Sequence, residues 1–210
     1  MSGGERTRTL GQTVRELVET LLLAAGVYLG VQFIVPPYAV DGASMNPALA
    51  NGERLLVNRT AYAHVDVNAL WSLIPGIEQS EPHVVYPFSR PMRGDIVVFS
   101  PPVTSDQPYI KRVIGLAGDS IRFAGGYVYV NDERLDEPYQ ALPETFCVDA
   151  VHCRLVVPEN AVYVLGDNRT NSADSRYFGV VSFDAIVGKA WLANWPLDQF
   201  GLIPSVAYEP

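Results

Sequence analysis

A chain of 210 residues is long enough for one sizeable core, or a core with an anchor, and too short for a large multidomain assembly. Its formal net charge of −8 repels phosphate backbones and no local basic patch offsets that field, so nucleic acid is excluded as a partner. Gly (17) and Pro (16) are plentiful while charged residues make up only 18%, which favours short strands punctuated by turns over a helical bundle.

In chain order, the first element is an apolar run over residues 17–35, close to the roughly 20 residues needed to cross a hydrocarbon core. Pro36 and Pro37 stop it, because proline lacks the backbone donor and disfavours helical geometry in the residue before it. No small-x-small cleavage site closes the run, so an uncleaved span is expected rather than a removed secretory signal. Arg6, Arg8 and Arg15 precede it, and the positive-inside rule then places residues 1–16 in the cytoplasm and residues 36–210 outside, with membrane lipid as a partner.

After the span come short β-type runs at 54–57, 95–99, 109–116, 120–123, 127–130, 154–157, 162–165 and 187–192. Phe123-Ala124-Gly125-Gly126-Tyr127 is a hairpin signal, since adjacent glycines supply the positive φ angles of tight turns. The stretch 62–92 carries scattered aromatics and four prolines without periodicity, and reads as a long insertion. A mostly β domain behind a single N-terminal transmembrane helix is predicted. Cys147 and Cys153 lie in the outside portion, where an oxidising environment permits a disulfide. Two unpaired thiols remain the alternative. Only His152 sits nearby, which is too few ligands for a structural zinc site.

The chemistry centres on Ser44, in Val40-Asp41-Gly42-Ala43-Ser44-Met45-Asn46-Pro47, a few residues past the span. Gly42 there allows close approach by another chain. A serine hydroxyl needs a base to become a useful nucleophile. His64, His83 and His152 lie in loop-like sequence without an orienting carboxylate motif, which makes a Ser-His-Asp triad the weaker proposal, although triad members meet in space and not in chain order. Lys111 is the stronger candidate. In Tyr109-Ile110-Lys111-Arg112-Val113-Ile114-Gly115, strand alternation places it on one face with Tyr109 and Val113, among apolar neighbours. To act as a base near neutrality its pKa must fall from about 10.4 by roughly three units, which desolvation can supply.

From anchor to C-terminus the chain resembles bacterial type I signal peptidase, whose catalytic domain is a β-barrel-type fold shared with LexA-like proteins. Four motifs carry the resemblance in order. They are the segment around Ser44 through Leu49, Arg93-Gly94-Asp95-Ile96-Val97-Val98-Phe99, the lysine segment running on to Asp119, and Gly166-Asp167-Asn168-Arg169 with Ser172, Asp174, Ser175, Arg176, Tyr177 and Gly179. The resemblance implies a serine endopeptidase that removes signal peptides from secretory preproteins, with Ser44 as nucleophile, Lys111 as general base and the Ser44 N–H in the oxyanion hole. It further implies that Ser172 orients the lysine and that Asp174 and Arg176 form a supporting salt bridge. No cofactor and no metal are implied.

Ala48 and Ala117 depart from the family pattern, and Gly42 stands where some members carry a serine that donates a second bond to the oxyanion. Here any second donor must be the Gly42 N–H or another group. An extended substrate is expected to add as a strand beside residues 40–43, against Tyr38, Val40, Asp41, Tyr109 and Ile110. Two competing functions are a self-cleaving LexA-like repressor and an inactive membrane-tethered domain that binds exported peptides. The anchor and acidic balance argue against the first, and intact Ser44 and Lys111 against the second.

Overall fold

A computed structural model describes residues 10–63, 65–66, 84–85, 88–105, 107–140, 145–147, 151–206 and 208. The apolar run belongs to a helix, α1 (Leu10–Ile34), with no buried residue along its 25 residues. At about 1.5 Å per residue it is longer than a hydrocarbon core of about 30 Å. It begins before the apolar run because the polar lead is helix-compatible, and Arg15 donates to Glu19 one turn on at 2.7 Å.

The rest is β-rich. Strands β1 (Pro37–Ala39) and β2 (Arg54–Asn58) pair antiparallel, followed by the small pair β3 (Val65–Asp66) and β4 (Val84–Val85). Then come β5 (Ile96–Phe99), β6 (Tyr109–Gly115), β7 (Ser120–Ala124), β8 (Tyr127–Val130), β9 (Glu133–Arg134), β10 (Arg154–Val156) and β11 (Ala161–Leu165). A single-turn helix, α2 (Ser175–Phe178), precedes β12 (Val181–Ser182), β13 (Ile186–Trp195) and β14 (Gly201–Leu202). One sheet runs β1-β2-β13-β5-β6-β11-β12 with β14 on β13, and a second runs β10-β7-β8-β9. The first curls into a half-barrel, with register shifts along β13 and between Tyr163 and Val164 of β11.

β5, β6 and β11 sit centrally and are buried along most of their length, so their sequences read as continuous apolar runs instead of alternating ones. Val97, Phe99, Val113, Val162 and Val164 form one core cluster, and Ile114, Ile121, Val128, Tyr163 and Leu165 another. The predicted hairpin is present, with Gly125 and Gly126 at positive φ between β7 and β8. Residues 67–83 of the expected insertion lie outside the described residues. Tyr62 at its start belongs to the core, where its hydroxyl donates to Asp95 Oδ2 at 2.6 Å.

Cys147 and Cys153 are bonded to each other, with Cα atoms 5.8 Å apart and Cys153 buried. Closing so short a loop removes modest chain entropy, so Cys147→Ser/Cys153→Ser is expected to lower stability by about 2 kcal/mol. A urea midpoint unchanged between reduced and oxidised protein would contradict this.

Candidate active site

The turn carrying Ser44 is closed at its base by backbone bonds. Val40 N–H donates to Glu53 O at 2.8 Å and Gly52 N–H to Val40 O at 2.9 Å. Gly42 has φ +88°, a left-handed conformation that a side chain would strain, and it swings the chain out of β1 toward the turn. Met45, fully buried, pins the turn from below, so Ser44 is held half-exposed at the rim.

Lys111 arrives from β6, paired opposite Val97 of β5. Its Nζ donates to Ser44 Oγ at 2.8 Å and to Ile110 O at 2.8 Å. The residue is only 4% exposed, and the ammonium lies 5.4 Å from the centroid of the Tyr109 ring. Burial pushes its pKa down to about 8, against the opposing pull of the Asp174 and Asp167 carboxylates. Lys189, the other lysine in the chain, is ion-paired with Asp95 at 2.5 Å.

A cleft of about 820 Å³ runs past this pair. Tyr38, Val40, Asp41, Tyr109 and Ile110 all line it, together with Gln107 and Asn51. β1 forms one wall and, among the described strands, pairs only with β2, so its outer edge is open. No histidine lines this cleft among the described residues.

The segment after β11 backs the pair. Asp174 caps α2 and takes both arms of Arg176, Nε to Oδ1 and Nη2 to Oδ2, each at 2.8 Å. Its Oδ2 also accepts the Gly166 N–H at 3.1 Å. Asp174 is completely buried and Arg176 nearly so. Removing one partner of such a pair strands a buried charge, and Arg176→Ala is expected to cost about 3–5 kcal/mol, read as a lower urea midpoint. Ser172 is buried but its Oγ makes no hydrogen bond among the described residues, and Lys111 donates to Ser44 and to its neighbour's carbonyl.

Arg112, Asp167 and Gly166 had no individual role in the sequence reading. Arg112 points away from Lys111 and forms a buried two-armed pair with Asp167, at 2.8 and 2.6 Å, under the Tyr139 ring. Gly166 is a point of close approach, since a Cβ there would lie 2.2 Å from Ser172 Oγ and 2.6 Å from Ser44 O. The Gly42 N–H is already engaged, donating to Asn51 Oδ1 at 2.9 Å. In the sequence this region stood out as the fourth motif, Gly166-Asp167-Asn168-Arg169, without a role for these four residues individually.

A sequence profile described as "Signal peptidase, peptidase S26" matches residues 14–195. Signal peptidase I of Bacillus caldolyticus is 35% identical over 178 residues, covering 80% of this chain and 84% of its own. Signal peptidase IB of Staphylococcus aureus is 33% identical over 204 residues, covering 89% and 93%. A crystal structure of a signal peptidase I from Enterococcus faecalis shares 32% identity, covering 48% of this chain and 97% of that one, with a TM-score of 0.41. With the family profile spanning most of its length, this chain belongs to the signal peptidase family, peptidase S26.

Proposed function

We propose that this protein removes signal peptides from exported precursors using Ser44 as nucleophile and Lys111 as general base. The observation that carries the reading is the 2.8 Å contact between Lys111 Nζ and Ser44 Oγ in a buried setting that drives the lysine toward its neutral form. A neutral amine carries a lone pair, and the same contact then runs from the serine hydroxyl to Nζ. Ser44 Oγ attacks the scissile carbonyl while Lys111 takes the proton, and the Ser44 N–H stabilises the oxyanion. The lysine ammonium returns its proton to the leaving amine, leaving an acyl-enzyme. Water, deprotonated by the same lysine, then releases the signal peptide.

The open edge of β1 supports strand addition by an extended cleavage region, with its small side chains over the apolar wall of Val40, Tyr109 and Ile110. α1 is long and apolar enough to span a bilayer, and the arginines before it favour a cytoplasmic N-terminus. Trp191, Trp195, Leu197, Phe200 and Leu202 are exposed on β13 and the segment after it. Trp191 shares a cavity of about 310 Å³ with Val31 and Val35 at the end of α1, which supports a catalytic domain resting on the outer lipid surface.

The test is cleavage of a purified secretory precursor by the full chain in detergent or vesicles. The expected product starts immediately after a small-x-small sequence, read by N-terminal sequencing. Intact precursor after prolonged incubation would defeat the reading.

A further inference from the structure

Two asparagines grip the turn that carries Ser44 from opposite sides. Asn51 Oδ1 accepts the Gly42 N–H, which withdraws that amide as a second oxyanion donor. Asn168 holds the other side twice, its backbone N–H donating to Ser44 O at 3.0 Å and its Nδ2 to Ala43 O at 3.1 Å. The Asn46 N–H takes the remaining lone pair of Ala43 O at 3.2 Å.

Ala43 O belongs to the same peptide group as the Ser44 N–H. That peptide is trans, so its carbonyl and its N–H point in opposite directions. Anchoring one therefore aims the other. Hydrogen bonds into the carbonyl also polarise the amide and strengthen its N–H as a donor. The Ser44 N–H itself donates to no acceptor among the described residues, leaving it free for substrate. The orientation of the Asn168 amide follows from its partners, since Oδ1 accepts the Thr170 hydroxyl at 3.1 Å and only the nitrogen can face a carbonyl.

We infer that Asn168 is a positioning residue for the oxyanion hole, its side-chain amide holding the Ala43–Ser44 peptide so that the Ser44 N–H faces the scissile carbonyl. This rests on the peptidase reading above. It places the two halves of the site on separate supports, with Lys111 held by β6 and the oxyanion donor by the segment after β11.

Asn168→Ala and Asn168→Ser test it, both neutral so that the titration of Lys111 is undisturbed. Complete loss of one oxyanion donor costs about 10²- to 10³-fold, and misaiming a donor that is still present should cost less, about 10- to 100-fold in kcat. KM should stay within about threefold and the acid limb of the pH profile should not move, because neither substrate wall nor base is touched. A folded variant with kcat within about threefold of wild type would overturn the inference, as would a loss carried by KM or a displaced acid limb. Collapse of both variants in thermal melts would also overturn it, making Asn168 a structural residue. Failure of the wild-type chain to cleave any precursor would instead sink the peptidase reading itself.

Discussion

Replacing Lys111 with alanine is expected to lower kcat/KM for precursor cleavage by about 10⁴- to 10⁶-fold while the fold survives, and Ser44→Ala should do the same. The losses should not add, since a nucleophile without its base and a base without its nucleophile are equally idle. Stability should rise or hold in Lys111→Ala, because a buried amine with a depressed pKa is a cost that the folded state bears. The pH dependence carries the sharper test. The reactive form is the neutral amine, whose fraction falls tenfold per unit once pH drops below the lysine pKa. Activity should therefore climb with pH and level off above about 8, the value set by burial against the pull of Asp174 and Asp167. An acid limb near 6.5, the ordinary histidine range, would point to a different base.

The second large effect is expected at Gly166. A Cβ at this position would lie 2.2 Å from Ser172 Oγ and 2.6 Å from Ser44 O, and the second of these is backbone, which cannot rotate away. Gly166→Ala should cost about 1–3 kcal/mol as overpacking. The relief available is to push the Ser44 turn outward, and a displacement of 1 Å at a reacting centre costs about 100-fold in rate. The expected result is a folded protein, normal by circular dichroism, with kcat reduced by that order. Wild-type kcat in a folded Gly166→Ala variant would show that the turn can yield without cost.

The β content was legible because most strands here carry local signals. β2, β5, β6, β7, β8, β10 and β11 each coincide within about two residues with an apolar run bounded by breakers. β1 was not, because Pro36 and Pro37 read as a helix stop. Proline is tolerated on a strand whose N–H side has no partner, and β1 is an edge. β13 extends to ten residues where the sequence suggested six, since its register shifts let it pair in turn with β5, β2 and β14. Such long-range pairing leaves no mark in the local pattern.

At the site, Ser44 and Lys111 stood out through motif and apolar context, whereas the contact between them spans 67 positions and is a property of the sheet. The supporting shell was less readable. Asp167 and Arg169 are charged residues in a turn-like sequence, and nothing local distinguishes a solvated turn from a buried ion-pair network. Asn51 and Asn168 act on the Ser44 turn through hydrogen bonds whose partners there are backbone groups, which have no side-chain identity to detect.

The open edge of β1 is only three residues long. If each backbone bond along it contributes about 1 kcal/mol, strand addition gives an extended chain a foothold of a few kcal/mol and no more. A longer edge would hold the spent signal peptide and slow every cycle. Brevity at this edge therefore favours short residence, so that rapid dissociation of the cleaved signal peptide, and not tight capture of the precursor, is what the geometry is suited to deliver.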